Sequence, residues 1–256
     1  MDLVALPAFA DNYIWMLHDG AQAVVVDPGD AAPVLAALDR LQLRLAAILV
    51  THHHPDHVGG LAALRERLEG PVHGPAREVI APPFEPRRGG ERIEVLGHRF
   101  EVLDVPGHTA GHIAYVQCDA EQAPLLFCGD TLFCAGCGRL FEGTPAQMLA
   151  SLDRLAALPP DTRICSAHEY TMSNLRFAAA VEPANEAIAA HAGRCRALRE
   201  AGQPTLPSTI ALEHRINPFL RCREPAVVAA ALAQGADGAD PVAVLAALRE
   251  WKNRFQ

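Results

Sequence analysis

Residues 51–57 read Thr-His-His-His-Pro-Asp-His, so four imidazoles and one carboxylate fall within six positions directly after the apolar run LAAILV. Burying that many polar groups without a partner is expensive. Imidazole and carboxylate donors suit zinc, iron or manganese, whereas a wholly oxygen-lined site points to calcium or magnesium. Taken alone, the run also fits a solvated histidine-rich loop. The theme recurs, however: PGHTAGH places His108 after an apolar run, FCGDT places Asp130 after another and CSAHEY places His168 after a third. A single histidine in such a place is more often part of a core, but strand ends converge on one edge of a sheet. Their recurrence points to a site for more than one metal, which needs more ligands than a structural zinc and must leave room for water. His53 falls between donors and points away on an extended run. His73, His98 and His112 have no motif position and are expected to pack, face solvent or, for His112, hold a ligand's other nitrogen.

The elements that must carry these residues follow from periodicity. YIWMLHD, QAVVVDPGD, LAAILVTHHH, RFEVLDVPGH, HIAYVQC and PLLFCGD read as strands ending in polar loops. Helical spacing groups Val34, Leu35, Leu38 and Leu41 within 31–41, and Leu61, Leu64 and Leu68 within 59–68. A helix over 144–157 opens with Thr144 as cap, Pro145 at its first position and Gln147 completing a capping box. A strand over RICSAHEY follows, and beyond residue 171 the chain is Ala- and Leu-rich, with helices near 172–200 and 224–252 separated by AGQPTLPSTI. The class is α/β, with residues 1–170 as a metal-binding domain and 171–256 as a smaller helical one.

With 256 residues, half of them hydrophobic, the chain can bury a full core, and its formal charge of −8 argues against a nucleic-acid footprint. No leader or membrane-spanning run is evident, so a cytoplasmic protein without a membrane partner is expected. Seven cysteines without a regular framework fit a reducing compartment. The pair Cys134 and Cys137 lacks a second pair to complete a zinc site, and its structural reading stands ahead of a redox one.

THHHPDH, PGHTAGH, GDTLF and AHEY resemble the metallo-β-lactamase superfamily, whose leading motif is HxHxDH. The resemblance implies an αββα sandwich in which His52, His54 and His108 bind one metal, Asp56, His57 and His168 bind a second, and Asp130 bridges both. It also implies two divalent ions per chain, zinc foremost with iron or manganese as alternatives. Asp56 and Asp130 then act as metal ligands positioning a bridging hydroxide rather than as proton carriers.

The superfamily holds lactamases, nucleases, redox enzymes and thioesterases, so the motif alone names no substrate. GDTLFCAGCGRLFEGTPAQM, LPPDTRICSAHEYTMSNLRFA, VEPAN and INPFLR are similar to the hydroxyacylglutathione hydrolase (glyoxalase II) family over nearly the whole chain. That resemblance implies hydrolysis of S-D-lactoylglutathione, and related 2-hydroxyacyl thioesters, to glutathione and D-lactate, the second step of methylglyoxal detoxification. The protein is then expected to work as a monomer on a small-molecule substrate. Arg139, Tyr170, Arg249 and Lys252 match glutathione-contacting positions, although from pattern alone Arg249 and Lys252 read as a solvated helix end. Phe141 stands where many eukaryotic members have a tyrosine, which removes one polar contact. The rivals are a one-iron persulfide dioxygenase, which typically lacks a long helical C-terminal part, a nuclease, disfavoured by the acidic charge, and a metal-dependent binding protein.

Overall fold

A computed structural model describes residues 1–118 and 123–255. They form two compact units, the first from Met1–Asp104, Ala110–Gly129 and Cys165–His168, the second from Val105–Thr109, Asp130–Ile164 and the residues from Glu169 onward.

In the first unit, β1 (Asp2–Ala8), β2 (Asn12–His18) and β3 (Gln22–Val26) pair antiparallel. Helix α1 (Ala31–Leu41) then crosses over to β4 (Arg44–Leu49), which lies parallel to β3, as a connection of that length allows. Two single-turn helices follow, α2 (Pro55–Val58) and α3 (Leu61–Leu64), and then β5 (Val72–Pro75) and β6 (Glu85–Arg87) extend the parallel part. Ile14, Met16, Ala23, Val25 and Ile48 share one face of this sheet and bury against Val34 and Leu38 of α1 and Leu61 and Leu64 of α3. The alternate residues Trp15, Leu17, Val24, Val26 and Leu49 are buried as well. Covering on both faces is why these strands read as continuous apolar runs.

The rest of this unit is an antiparallel meander of β7 (Arg92–Val95), β8 (His98–Asp104), β9 (Ile113–Gln117) and β10 (Leu125–Phe127). At the start of β9, Ile113 N donates to Thr51 O at 3.0 Å, and Tyr115 Oη donates to Val50 O at 3.1 Å. These bonds fix the chain as it leaves β4. The segment 165–168 returns to β2, where Tyr13 N donates to Ala167 O at 2.7 Å and Trp15 Nε1 to Ser166 O at 2.9 Å.

The second unit opens with a hairpin, β11 (Leu132–Phe133) and β12 (Gly136–Cys137), followed by α4 (Pro145–Ala156) and β13 (Arg163–Cys165). It continues with α5 (Thr171–Val181), α6 (Glu186–Glu200), β14 (Ser208–Thr209), α7 (Ile210–Ile216), α8 (Pro225–Ala233) and α9 (Pro241–Arg254). The capping box of α4 forms as expected: Gln147 N donates to Thr144 Oγ1 at 3.2 Å and Thr144 N to Gln147 Oε1 at 2.9 Å. Cys134 and Cys137 are buried free thiols, and burial pushes both up in pKa, which keeps them protonated and fits a structural role.

Four expected elements differ in extent. The helix over 59–68 is confined to α3, with α2 standing before it, and Leu68 instead bridges to Leu45. Glycines occupy the junction because a Cβ at Gly59 would come 2.6 Å from Gly29 O, and one at Gly60 2.6 Å from Pro28 O. The strand over RICSAHEY stops at Cys165, where the chain turns its hydrogen bonds to β2. The helix over 172–200 breaks at Pro183 and restarts under the Asn185 cap, whose side chain accepts from Ala187 N at 3.0 Å. The last helix divides at Gly235 and Gly238, both at positive φ, before Asp240 caps α9. Among the described residues no helix is long and apolar enough to cross a membrane.

Candidate metal centre

Within the first unit, Asp56, His57 and His168 each turn a ligand atom toward the others, all within 4.8 Å. Asp56 Oδ2 lies 3.5 Å from His57 Nε2 and 3.4 Å from His168 Nε2, and accepts from Asn12 Nδ2 at 3.0 Å. Hydrogen bonding by His168 first, then His57, holds the Asp56 carboxyl far below the usual carboxylate range, against the burial that would raise it. The group is therefore an anion facing two imidazoles. Beside it, His52 Nε2 lies 3.1 Å from His54 Nδ1, and the His52 ring packs on His57 at 4.0 Å and stacks on His112 at 4.6 Å. Imidazole nitrogens crowded about a carboxylate, most of them buried, form a donor set that fits a divalent cation such as zinc, iron or manganese.

On three of these rings a polar group lies close to the opposite nitrogen. Asp27 Oδ2 lies 3.1 Å from His57 Nδ1, Asp11 Oδ1 lies 2.9 Å from His168 Nδ1, and Thr51 Oγ1 lies 3.1 Å from His52 Nδ1. A carboxylate at hydrogen-bonding distance from Nδ1, as Asp11 is at His168, favours the proton there and leaves Nε2 as the donor. Asp27 also accepts from Thr51 N and Thr51 Oγ1, each at 2.7 Å, from a left-handed backbone with φ of 52° that aspartate tolerates better than most residues. Asp27, Asp11 and Asn12 were not among the residues singled out from sequence. The one local signal for Asp27 is an apolar strand ending in DPG. Asp27→Asn keeps the shape and removes the charge, and is expected to weaken metal retention by about 10–100-fold. Competition with a chelator measures this, and retention equal to the parent protein would remove Asp27 from the role.

His53 makes no part of the trio, and its Nδ1 lies 2.8 Å from Glu78 Oε2. His112 is fully buried, with Nδ1 at 3.0 Å from Ile113 O. His73 sits between Arg87 and Glu85, and burial pushes its pKa down to about 4. His98 lies 3.2 Å from Gln117 Nε2.

The second unit brings two further expected donors together: His108 Nε2 lies 3.5 Å from Asp130 Oδ2, and His108 Nδ1 lies 2.9 Å from Arg139 O. Gly138 is required here, since a Cβ would come 1.9 Å from Asp130 O. In the same unit Arg139 is exposed and Tyr170 sets its ring edge-on to Phe133 at 5.3 Å. Arg249 is buried, donates from Nη1 to Cys137 O at 2.7 Å and lies over the Phe219 ring. Lys252 donates to Ser173 O and Oγ at 3.1 Å, and burial, reinforced by the charges of Arg249, Arg176 and Arg139, pushes its pKa down to about 8. Four cationic side chains thus share one electrostatic neighbourhood in an acidic protein.

Residues 9–168 match the family model of the metallo-β-lactamase superfamily, and residues 169–255 match that of the hydroxyacylglutathione hydrolase C-terminus. A hydroxyacylglutathione hydrolase of Albidiferax ferrireducens is 61% identical over 255 residues, covering 100% of both chains. The chain belongs to the hydroxyacylglutathione hydrolase family. Its fold is that of the metallo-β-lactamase superfamily with a helical C-terminal part, as expected, and it is a hydrolase. Among solved structures it is similar to ETHE1 from Myxococcus xanthus, at 26% identity and a TM-score of 0.66 with 100% of both chains covered. It is also similar to a protein solved in a di-iron-bound form, at 30% identity and a TM-score of 0.59, covering 86% of this chain and 100% of that one. Both of the C-terminal cations, Arg249 and Lys252, fall inside the segment matched by the hydroxyacylglutathione hydrolase model.

Proposed function

We propose that this hydroxyacylglutathione hydrolase family member cleaves S-D-lactoylglutathione and related 2-hydroxyacylglutathione thioesters to glutathione and the free 2-hydroxy acid, the second step of methylglyoxal detoxification. The observation that carries the reading is the full-length identity of 61% to a relative named for that activity, together with the match of residues 169–255 to the hydroxyacylglutathione hydrolase C-terminus.

The ligand assignment we propose has His52, His54 and His108 on one divalent ion, Asp56, His57 and His168 on a second, and Asp130 shared by both. Zinc is the first choice, with iron or manganese accepted by the same donors. Bound divalent ions supply the positive charge that makes water acidic near neutral pH and that stabilises an oxyanion at the attacked carbonyl. The protein's own part is orientation. Asp11 Oδ1 stands 2.9 Å from His168 Nδ1 and Asp27 Oδ2 stands 3.1 Å from His57 Nδ1, so a carboxylate backs each ring, and Asp56, already charged, needs no proton transfer of its own. The departing thiolate, with a thiol pKa of ~8.5, makes no demand for a strong general acid over the sulfur.

For the glutathione part we assign Arg139, Tyr170, Arg249 and Lys252. Arg249 commits Nη1 to the hairpin ahead of Arg139, while its buried Nε has no hydrogen-bond partner among the described residues. The free cysteines fit a reducing compartment, and we place the enzyme in the cytoplasm.

Metal-quantified protein assayed on lactoylglutathione, beside a thioester lacking glutathione, tests the reading. Thiol release is expected to be much faster from the glutathione substrate. Equal rates would remove the glutathione site, no turnover with zinc, iron or manganese would remove the thioesterase reading, and oxygen uptake with glutathione persulfide would favour the rival.

A further inference from the structure

Glu78 lies in the segment between β5 and β6, between exposed Arg77 and Val79, yet only 2% of its side chain is exposed. A carboxylate so placed must be tied to donors. Its Oε2 accepts from His53 N at 2.6 Å and lies 2.8 Å from His53 Nδ1, while Oε1 accepts from Gly111 N at 3.2 Å. The two anchored backbones flank the metal-binding histidines. Residue 53 stands between His52 and His54, and Gly111 directly precedes His112, whose ring stacks on His52 at 4.6 Å and 19°.

The fit around Glu78 is tight. A Cβ on Gly111 would come 2.5 Å from Glu78 Cγ and 3.0 Å from Arg77. The segment itself is pinned on either side, by Ile80 in the core and by Arg77 Nη2, which donates to Asp104 Oδ2 at 2.9 Å.

We propose that Glu78 is a positioning residue of the metal centre: a single carboxylate clamps the loop of His52 and His54 to the loop of His112, so that His52 is held through its own backbone and through the ring stacked on it. Glu78 touches no reacting atom and works through His53 and Gly111. The inference rests on the two-metal reading above.

Chelator competition on metal-loaded full-length protein tests it, with the melting temperature of metal-free protein as a second readout. Glu78→Ala is expected to weaken metal retention by about 10–100-fold, the range for loss of a group that orients ligands. Glu78→Gln keeps one acceptor for His53 N but aims an amide at the Gly111 N–H, and should fall between. Gly111→Ala leaves the carboxylate intact while displacing it, and should lose affinity in the same direction. A graded loss of affinity that exceeds what the fall in metal-free melting temperature accounts for is the expected result. Unchanged affinity in Glu78→Ala would overturn the proposal, as would loss that merely tracks a lowered metal-free melting temperature. A parent protein that takes up no metal would instead bring down the metal reading itself, and is told apart by the same titration.

Discussion

Asp56→Ala is expected to lower turnover by well over 100-fold and to release metal from the protein. The carboxylate is the anionic member of its trio, with His57 Nε2 and His168 Nε2 at 3.5 and 3.4 Å. Removing a group that only orients a ligand costs about 10–100-fold in affinity or activity, and removing the charged group proposed to hold the ion should cost more. The isosteric Asp56→Asn separates charge from packing. It can still accept from Asn12, but it presents a neutral oxygen to a dication. Both variants should therefore lose metal and turnover together, measured by metal analysis and thioester cleavage on the same samples. Full metal content with lost activity would instead assign Asp56 to proton transfer.

Glu213→Ala is expected to destabilise the second unit by about 3 kcal/mol or more, since three donors lose their acceptor and each buried orphan costs roughly 1–3 kcal/mol. Glu213 is fully buried. Its Oε2 accepts from Ala135 N at 2.7 Å and Asn217 Nδ2 at 3.0 Å, and its Oε1 accepts from the Ser208 hydroxyl. It thereby fixes the turn between β11 and β12 that leads to Arg139. Burial pushes its pKa up, outweighing hydrogen bonds that lower it. The sign follows: the folded state binds this proton more tightly than the unfolded one, so the associated stability is full below the ordinary carboxyl pKa and is lost as pH rises through the raised folded value. Glu213→Gln can still accept from Ala135 N and Asn217 and donate toward Ser208. It should stay folded and flatten that part of the pH dependence, as read from denaturant melts across pH.

The residues proposed as donors could be picked out in the sequence because each group follows an apolar strand, and local pattern carries that much. Helix α1 and the capped start of α4 were legible for the same reason, since their signals lie within one or two turns. What supports the donors was not. Asp27 meets Thr51 and His57, Asp11 meets His168, and Glu78 meets His53 and Gly111, all pairings that only the fold creates. The single helix expected over 59–68 failed on a tertiary demand as well, the close approach of Gly59 and Gly60 to backbone oxygens of the 28–29 turn. Leucine spacing could not report it.

The return of residues 165–168 to β2 also orders events in time. His168 sits against Asn12 and Asp56, more than a hundred residues after either. A chain still being synthesised has β1 to β4 and the His52–His57 loop long before it has the third member of that trio. Domains fold from the N-terminus as they emerge, so the first sheet can form early while this donor set stays incomplete until residue 168 has been made and placed. On the ligand assignment proposed above, the group of Asp56, His57 and His168 can close only after residue 168 has been made and has returned to β2.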